Sequence, residues 1–185
     1  KAKEALQAAG LTAPVKITVA YRKNDTLDKV FSGLKTAWDA PGFDTTLVGI
    51  PAEQYYSTLQ SPDAANKYDA YWAGWGADWP SGSTVIPALL DSRVNISAGG
   101  PGQDYGYFSS DEFNAGIDKA YAIADQAERE KAWGALDTEA VTKYFAIIPL
   151  INDKYVFVHG SNVQGAVVNT TFTGYYDLAN VSVKH

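Results

Sequence analysis

The pattern of apolar and polar residues predicts alternating strands and helices in the first part of the chain. Residues 1–9 suit a short helix that Gly10 ends, and residues 15–21 alternate as a strand with one buried face does. A helix capped by Asn24 or Asp25 then follows. Its apolar side chains fall on one stripe at helical spacing: Leu27, Val30, Phe31, Leu34 and Trp38.

The next segments extend this alternation. After Pro41-Gly42, residues 43–50 predict a second strand, and Pro51 opens a helix to about Gln60. Residues 68–75 are apolar and aromatic without alternation, which is typical of a strand buried on both faces. The order strand, helix, strand, helix, strand predicts an α/β fold, a mostly parallel sheet with helices on both faces.

The second half of the chain is less regular. Residues 76–110 are rich in Gly, Pro and Ser, and only residues 83–90 predict a helix there. Two helices follow, with apolar residues at helical spacing: Phe113, Ile117 and Tyr121, then, after Asp125, Trp133, Leu136, Ala140 and Tyr144. We expect a strand at 155–158 and weak strands around 163–168 and 181–183.

Composition and charge exclude several classes of function. The hydrophobic fraction of 46% and charged fraction of 19% are those of an ordinary globular domain. The net charge is −6 and the basic residues are scattered, so we expect no nucleic-acid partner. The chain has no Cys, which excludes disulfides and thiolate chemistry. Because it begins at Lys1 and lacks Met, we expect a piece of a longer gene product, with any targeting segment upstream.

The aromatic content points to a candidate site. Twelve Tyr and five Trp indicate either an aromatic-walled pocket or core packing. The segment GWGADWPSG, residues 74–82, follows the third predicted strand, and open α/β sheets bind ligands at the carboxyl ends of strands. The candidate ligand-binding residues are the flat aromatic walls, two glycines that permit close approach, and one carboxylate: Trp72, Gly74, Trp75, Gly76, Asp78 and Trp79.

Two interpretations of this segment are open. An aromatic site with a single carboxylate suits an amine or other cation, or a sugar ring stacked on Trp. The alternative is a Gly-Pro turn with tryptophans in the core and Asp78 as the cap of the following element.

The sequence offers little for catalysis. The only histidines are His159, for which we expect a structural role at a strand end, and His185. A glycosidase pair could be drawn from Asp78, Asp91 and Asp104, but 21 acidic residues produce such pairs by chance. We therefore predict no catalytic residue, no metal site and no cofactor.

Four segments, in order, carry a resemblance to a known family. They are KAKEALQAAGL with VKITVAY, YDAYWAGWGADWP, YGYFSSDEFNAGIDKAYAIADQAEREKAWGALDTEA, and AIIPLINDKYVFVHGSNVQG. The order and spacing of these segments, over about residues 1–170, resemble the extracellular solute-binding proteins of family 5, which serve oligopeptide, dipeptide and nickel ABC transporters.

The resemblance implies a fold and a set of partners. It implies the periplasmic-binding-protein-like fold of type II, peptide-binding class, with residues 1–185 as one C-terminal lobe and about 163–185 returning toward a missing N-terminal lobe. It implies a monomeric, non-enzymatic protein in the periplasm or lipid-anchored at the cell surface. A small solute, most often a peptide, and an ABC permease in the membrane would be its partners.

The resemblance also assigns roles within the aromatic segment. It implies that Asp78 holds the α-amino group of a peptide and that Gly74, Trp75 and Gly76 line the site. The chain departs from the family at residues 79–82, where YPDP is usual, and at residues 71–72, where basic or polar residues are frequent. These departures leave an oligosaccharide or another small solute as the alternative ligand. A hydrolase fragment and a sensory domain are the alternatives from other classes.

Overall fold

The chain folds into two compact units. The computed structural model describes residues 1–61, 63–96, 102–151, 156–169 and 174–184. Unit 1 comprises Lys1–Gly74 and Ile96–Tyr107, and unit 2 comprises Trp75–Asn95 and Phe108–His185. The candidate segment therefore begins in unit 1 and continues into unit 2.

Unit 1 is built on a parallel sheet of three strands. These are β1 (Val15–Arg22), β2 (Phe43–Ile50) and β3 (Ala70–Tyr71), in the order β2-β1-β3. Because β1 is central, its residues 19–21 are buried on both faces. The predicted strands 15–21 and 43–50 are confirmed. Strand β3 is much shorter than the predicted strand 68–75. The last hydrogen bond between it and β1 is the one that the Trp72 amide donates to the Ala20 carbonyl.

Helices cover both faces of this sheet. Helix α1 (Ala2–Ala8) precedes the sheet and ends, as predicted, at Gly10, whose φ of +71° suits glycine. Helix α2 (Asp25–Asp39) packs Phe31 against Tyr21, with ring centroids 4.8 Å apart. Helix α3 (Tyr55–Leu59) packs against the opposite face, where Tyr55 and Leu59 form a cluster with Ala20 and Ile50.

The residues at the starts of α2 and α3 explain where these helices begin. Asn24 caps α2 by accepting hydrogen bonds from the amides of Thr26 and Leu27, at 3.0 and 2.9 Å. Helix α3 is shorter than the predicted 51–60, because a turn occupies residues 52–54 before it. The α/β fold with a parallel sheet and helices on both faces is confirmed.

Unit 2 is mainly helical. Its helices are α4 (Ile86–Leu90), α5 (Ser92–Asn95), α6 (Asp111–Ala122) and α7 (Gln126–Thr142). They share one core of buried residues: Ile86, Leu90, Phe113, Ile117, Ala120, Trp133, Leu136 and Ala140. Helix α7 begins after Asp125, as predicted, and Asp125 caps it by accepting a hydrogen bond from the Glu128 amide at 2.9 Å. The predicted helix at 83–90 is split into a 3₁₀ turn at Gly82–Thr84 followed by α4.

Short antiparallel ribbons form the end of unit 2. Strand β4 (Val163–Gln164) pairs with β7 (Ser182–Val183), and β5 (Val168–Asn169) pairs with β6 (Tyr175–Tyr176). The strand predicted at 155–158 is wrong over residues 156–158, which pair with no described strand; Tyr155 lies outside the described residues. His159 is thus not at a strand end, and its Nδ1 lies 3.1 Å from the Gly160 carbonyl oxygen.

Helix α5 was not predicted, and one arginine explains how it is held. The Arg93 guanidinium donates to both carboxylate oxygens of Asp91, at 2.9 and 2.8 Å. It also donates to both oxygens of Asp118 on α6, at 2.8 and 2.9 Å. These hydrogen bonds from Arg93 lower the pKa of Asp91 and of Asp118 below the ordinary carboxyl value.

Acid is therefore expected to weaken unit 2 through Asp91. A carboxylate whose pKa is lowered by folding stabilises the fold above its unfolded pKa of about 3.9, and this contribution is lost as pH falls through the folded pKa. Asp91→Asn should lower the free energy of unfolding by about 1–3 kcal/mol at pH 7, since Arg93 loses a buried charged partner. The variant should then lose less stability than the wild type between pH 6 and pH 3.

Denaturant unfolding at pH 7, 5 and 3 measures this difference. Asp137→Asn, at an exposed position on α7, is the matched control and should follow the wild type at every pH. An Asp91→Asn variant with the same acid profile as the wild type would contradict the assignment.

Candidate functional site

The candidate segment starts at a firmly held end of strand β3. The Trp72 amide donates to the Ala20 carbonyl at 2.8 Å, and the Trp72 carbonyl accepts a hydrogen bond from the Tyr55 hydroxyl. Tyr55 is fully buried, and its ring lies 5.9 Å from that of Trp72. Trp72 is therefore a half-buried residue fixed by the core of unit 1.

Further tyrosines lie beside Trp72 in unit 1. The ring of Tyr71 meets that of Tyr105 edge to face at 5.7 Å, and Tyr105 in turn contacts Tyr56 at 6.1 Å. Burial, with the nearby Asp104 carboxylate adding to it, raises the pKa of Tyr71. This tyrosine cluster has no local signature in the sequence, where only the high tyrosine content indicates it.

In unit 2 the candidate tryptophans are exposed. Trp75 is 43% exposed and its indole nitrogen donates to the Thr84 carbonyl at 3.1 Å, which fixes one edge of the ring. Trp79 is 53% exposed. The alternative interpretation, with these tryptophans in the core, therefore does not hold for Trp75 or Trp79. Large exposed aromatic rings are typical of binding surfaces.

Ser81, not Asp78, caps the element that follows. The Ser81 hydroxyl accepts a hydrogen bond from the Ser83 amide at 3.3 Å and donates to the Glu130 carboxylate on α7 at 2.8 Å. Asp78 is exposed, and its carboxylate has no hydrogen bond or ion pair within the part of the chain that the structure describes. The interpretation of Asp78 as that cap is thus wrong, and its carboxylate is available to other groups.

The loop after Asp78 is anchored on the core of unit 2. A Cβ added at Gly82 would lie 2.6 Å from Cβ of Trp133, so only glycine lets the loop approach α7 this closely. Gly74 and Gly76 are exposed, and neither has a positive φ. Their backbone conformation does not require glycine, so the close approach predicted for them stays a prediction.

The candidate residues are divided between the units. Trp72 and Gly74 belong to unit 1, whereas Trp75, Gly76, Asp78 and Trp79 belong to unit 2. Of the carboxylates considered for a glycosidase pair, Asp91 is held by Arg93, and Asp104 accepts from the Gly106 amide at 2.8 Å.

The described residues contain neither a candidate metal-binding cluster nor a helix that could span a membrane. No group of three or more His, Asp or Glu side chains is placed there to hold a metal ion. No helix among those residues is both long and apolar enough to span a bilayer.

Comparison with known proteins decides the family. The family profile for the middle region of bacterial extracellular solute-binding proteins, family 5, matches residues 1–97. The chain belongs to this family. The predicted membership of family 5 is thereby confirmed.

The chain is also similar to a curated protein in sequence and to solved structures in fold. The chain is 26% identical over 140 residues to the periplasmic oligopeptide-binding protein OppA of Haemophilus influenzae, covering 75% of this chain and 24% of that protein. The structure of clavulanic acid biosynthesis oligopeptide binding protein 2 matches with a TM-score of 0.87 at 22% identity, covering 99% of this chain and 33% of the other.

A third match is the periplasmic binding protein DppA from Helicobacter pylori, solved in complex with the peptide STSA. The TM-score is 0.69 at 25% identity, and the match covers 99% of this chain and 34% of the DppA chain. The periplasmic-binding-protein-like fold is thus confirmed. The chain spans only about a quarter to a third of the length of these relatives.

Proposed function

We propose that this chain is the C-terminal lobe of an extracytoplasmic solute-binding protein that delivers peptides to an ABC permease. The relatives named above are oligopeptide-binding proteins or, for DppA, a protein holding a peptide, which supports a peptide as the solute. The chain contributes half of the ligand site and an N-terminal lobe supplies the rest. The protein is a monomer in the periplasm or lipid-anchored at the cell surface, and it performs no catalysis.

The observation that carries this proposal is the unpaired carboxylate of Asp78 between two exposed tryptophans. In the sequence of unit 2, Asp78 lies three residues after Trp75 and directly before Trp79, and both tryptophans are exposed. A carboxylate that becomes enclosed by a ligand must gain a partner, because an unpaired buried charge is costly. The free α-amino group of a peptide is such a partner, and the flat rings suit a cation beside them.

An oligosaccharide is the second candidate solute. The exposed faces of Trp75 and Trp79, at 43% and 53%, could stack on sugar rings, and this observation favours it. A hydrolase is not favoured. Asp91 is locked by Arg93, and Asp104 is held locally in unit 1, so neither is a free partner for Asp78.

The test is the dependence of peptide affinity on a free amino terminus. In the full-length protein, Asp78→Asn should weaken binding of a peptide with a free amino group tenfold or more, since losing one member of an enclosed charge pair costs about 2–5 kcal/mol. The N-acetylated peptide should bind the wild type poorly and lose little more on mutation. Calorimetry with both peptides on both proteins measures the four affinities.

Asp137→Asn, an exposed change in the same unit, is the control and should leave all affinities unchanged. Equal losses for free and acetylated peptides would show that Asp78 acts on the loop rather than on the amine. A wild type that binds maltooligosaccharides but none of the peptides would favour the second candidate.

A further inference from the structure

The loop that carries Asp78 is tied to helix α7 by one acidic side chain. The Glu130 carboxylate accepts a hydrogen bond from the Ser81 hydroxyl at 2.8 Å, across 49 positions of the chain. Both residues are half-buried. The adjacent Lys131 pairs with Glu128 at 2.7 Å, and Glu130 itself forms no ion pair within the part of the chain that the structure describes. Glu130 is therefore directed at the loop and not at a cation of its own helix.

This hydrogen bond fixes the orientation of the Ser81 hydroxyl. A hydroxyl has one proton to donate and two lone pairs that accept, whereas a carboxylate can only accept. Because Ser81 gives its proton to Glu130, its lone pairs face the Ser83 amide at 3.3 Å and the Ser83 hydroxyl at 3.1 Å. The carboxylate of Glu130 thus keeps Ser81 as the acceptor that caps the turn Gly82–Thr84.

The capped turn is attached at both of its ends within unit 2. Gly82 lies against α7, where an added Cβ would be 2.6 Å from Cβ of Trp133. The Thr84 carbonyl accepts a hydrogen bond from the indole nitrogen of Trp75 at 3.1 Å. Asp78 lies in the short stretch of chain between Trp75 and Gly82, so these attachments set the place of its carboxylate within unit 2.

We propose that Glu130 is a positioning residue for the ligand site. It does not touch the solute, but through Ser81 it holds the loop that presents Asp78 and the exposed ring of Trp79. The inference rests on the proposed binding of a peptide amine by Asp78. A group that is already held in its bound position loses less freedom when the ligand arrives, so the complex is tighter. Glu130 should therefore raise the affinity for a free amino terminus as well as stabilise the turn.

Removing the Glu130 carboxylate tests this role in the full-length protein. Glu130→Ala should weaken binding of a peptide with a free amino terminus by about threefold to tenfold, the range that corresponds to one lost hydrogen bond. Glu130→Gln should stay within about twofold of the wild type, because its amide oxygen can still accept from the Ser81 hydroxyl. Calorimetry on the folded proteins measures these affinities. The N-acetylated peptide, which lacks the amine, should lose less affinity in Glu130→Ala.

Ser81→Ala breaks the same hydrogen bond from the other side. Because Glu130 and Ser81 act through one contact, the double variant should lose no more affinity than the larger of the two single losses. Amide hydrogen exchange at Ser83 should quicken in both single variants, since the cap of the turn is weakened. Losses that add in the double variant would contradict a shared contact.

Glu128→Ala is the matched control, because it removes the same charge from the same helix and its side chain contacts Lys131. It should keep the wild-type affinity. Unchanged affinity in Glu130→Ala would overturn the inference, as would equal losses in Glu130→Ala and Glu130→Gln. If Asp78→Asn still weakens binding of the free amine in that case, the proposed function stands and only the role of Glu130 falls. If no peptide binds the wild type, both fall.

Discussion

Replacing Trp133 with alanine is expected to lower the free energy of unfolding of unit 2 by about 3–5 kcal/mol, the usual cost of truncating a large aromatic residue in a core. Trp133 is only 2% exposed and belongs to the core that joins α4, α6 and α7. Its ring meets that of Tyr121 at 5.0 Å, and its Cβ supports the loop at Gly82. Denaturant unfolding followed by amide hydrogen exchange in α6 and α7 measures the loss.

Two further variants make this prediction specific. Val94→Ala, at a position 64% exposed in the same unit, should change stability by no more than about 0.5 kcal/mol. Trp133→Phe should cost much less than alanine, because it keeps an aromatic ring and removes a buried indole N–H that has no hydrogen-bond partner among the described residues. A loss below about 1 kcal/mol for Trp133→Ala would mean that the core closes around the cavity.

Elements fixed by neighbouring residues were predictable from the sequence. Strand β2 has the predicted bounds because its apolar run lies between Pro41-Gly42 and Pro51. The starts of α2 and α7 follow from Asn24 and Asp125, whose side chains bond to amides two or three positions later. A helix cap joins residues within a single turn, so both partners are close in the sequence and the cap can be predicted from it.

Elements held by distant residues were not predictable. Helix α5 has four residues and is tied down by Arg93 binding Asp118, 25 positions away on α6. Strand β3 was expected to extend to Trp75, because a run of aromatic residues looks the same whether it is buried or exposed. Only the pairing with β1, which ends at Trp72, distinguishes the two cases.

The place of the aromatic segment along the chain, after the third strand, was predictable, whereas the hydrogen bonds that hold the segment were not. The carboxyl end of the third strand located the aromatic segment, because the order of strands and helices sets that edge of the sheet. Ser81 and Asp78 are equally plausible caps by residue type, and the structure selects Ser81 through its bonds to Ser83 and Glu130. The tyrosines of unit 1 do not stand out in the sequence, because their mutual contacts depend on how the chain folds around the sheet.

Tyr55 packs in the core of unit 1 and also holds the start of the candidate segment by a hydrogen bond. Replacing Tyr55 with alanine and replacing it with phenylalanine should therefore lower stability by different amounts. Tyr55→Ala is expected to lower the free energy of unfolding of unit 1 by about 3–5 kcal/mol, because Tyr55 is fully buried between Ala20, Ile50 and Leu59. Tyr55→Phe keeps the ring and removes the hydroxyl, which donates to the Trp72 carbonyl and, at the longer distance of 3.5 Å, to the Ala20 carbonyl. Its cost should be about 1–2 kcal/mol, the range for a buried hydrogen bond whose acceptor is left behind.

The neighbouring Tyr56 provides matched controls for both changes. It is 37% exposed, and its hydroxyl makes no hydrogen bond within the described residues, so Tyr56→Phe should be neutral and Tyr56→Ala should cost clearly less than Tyr55→Ala. Because Tyr55→Phe frees the Trp72 carbonyl while keeping the core, it should also speed amide exchange at Trp72 relative to β2. Unchanged exchange at Trp72 in this variant would show that the ladder bond to Ala20 alone fixes the end of β3.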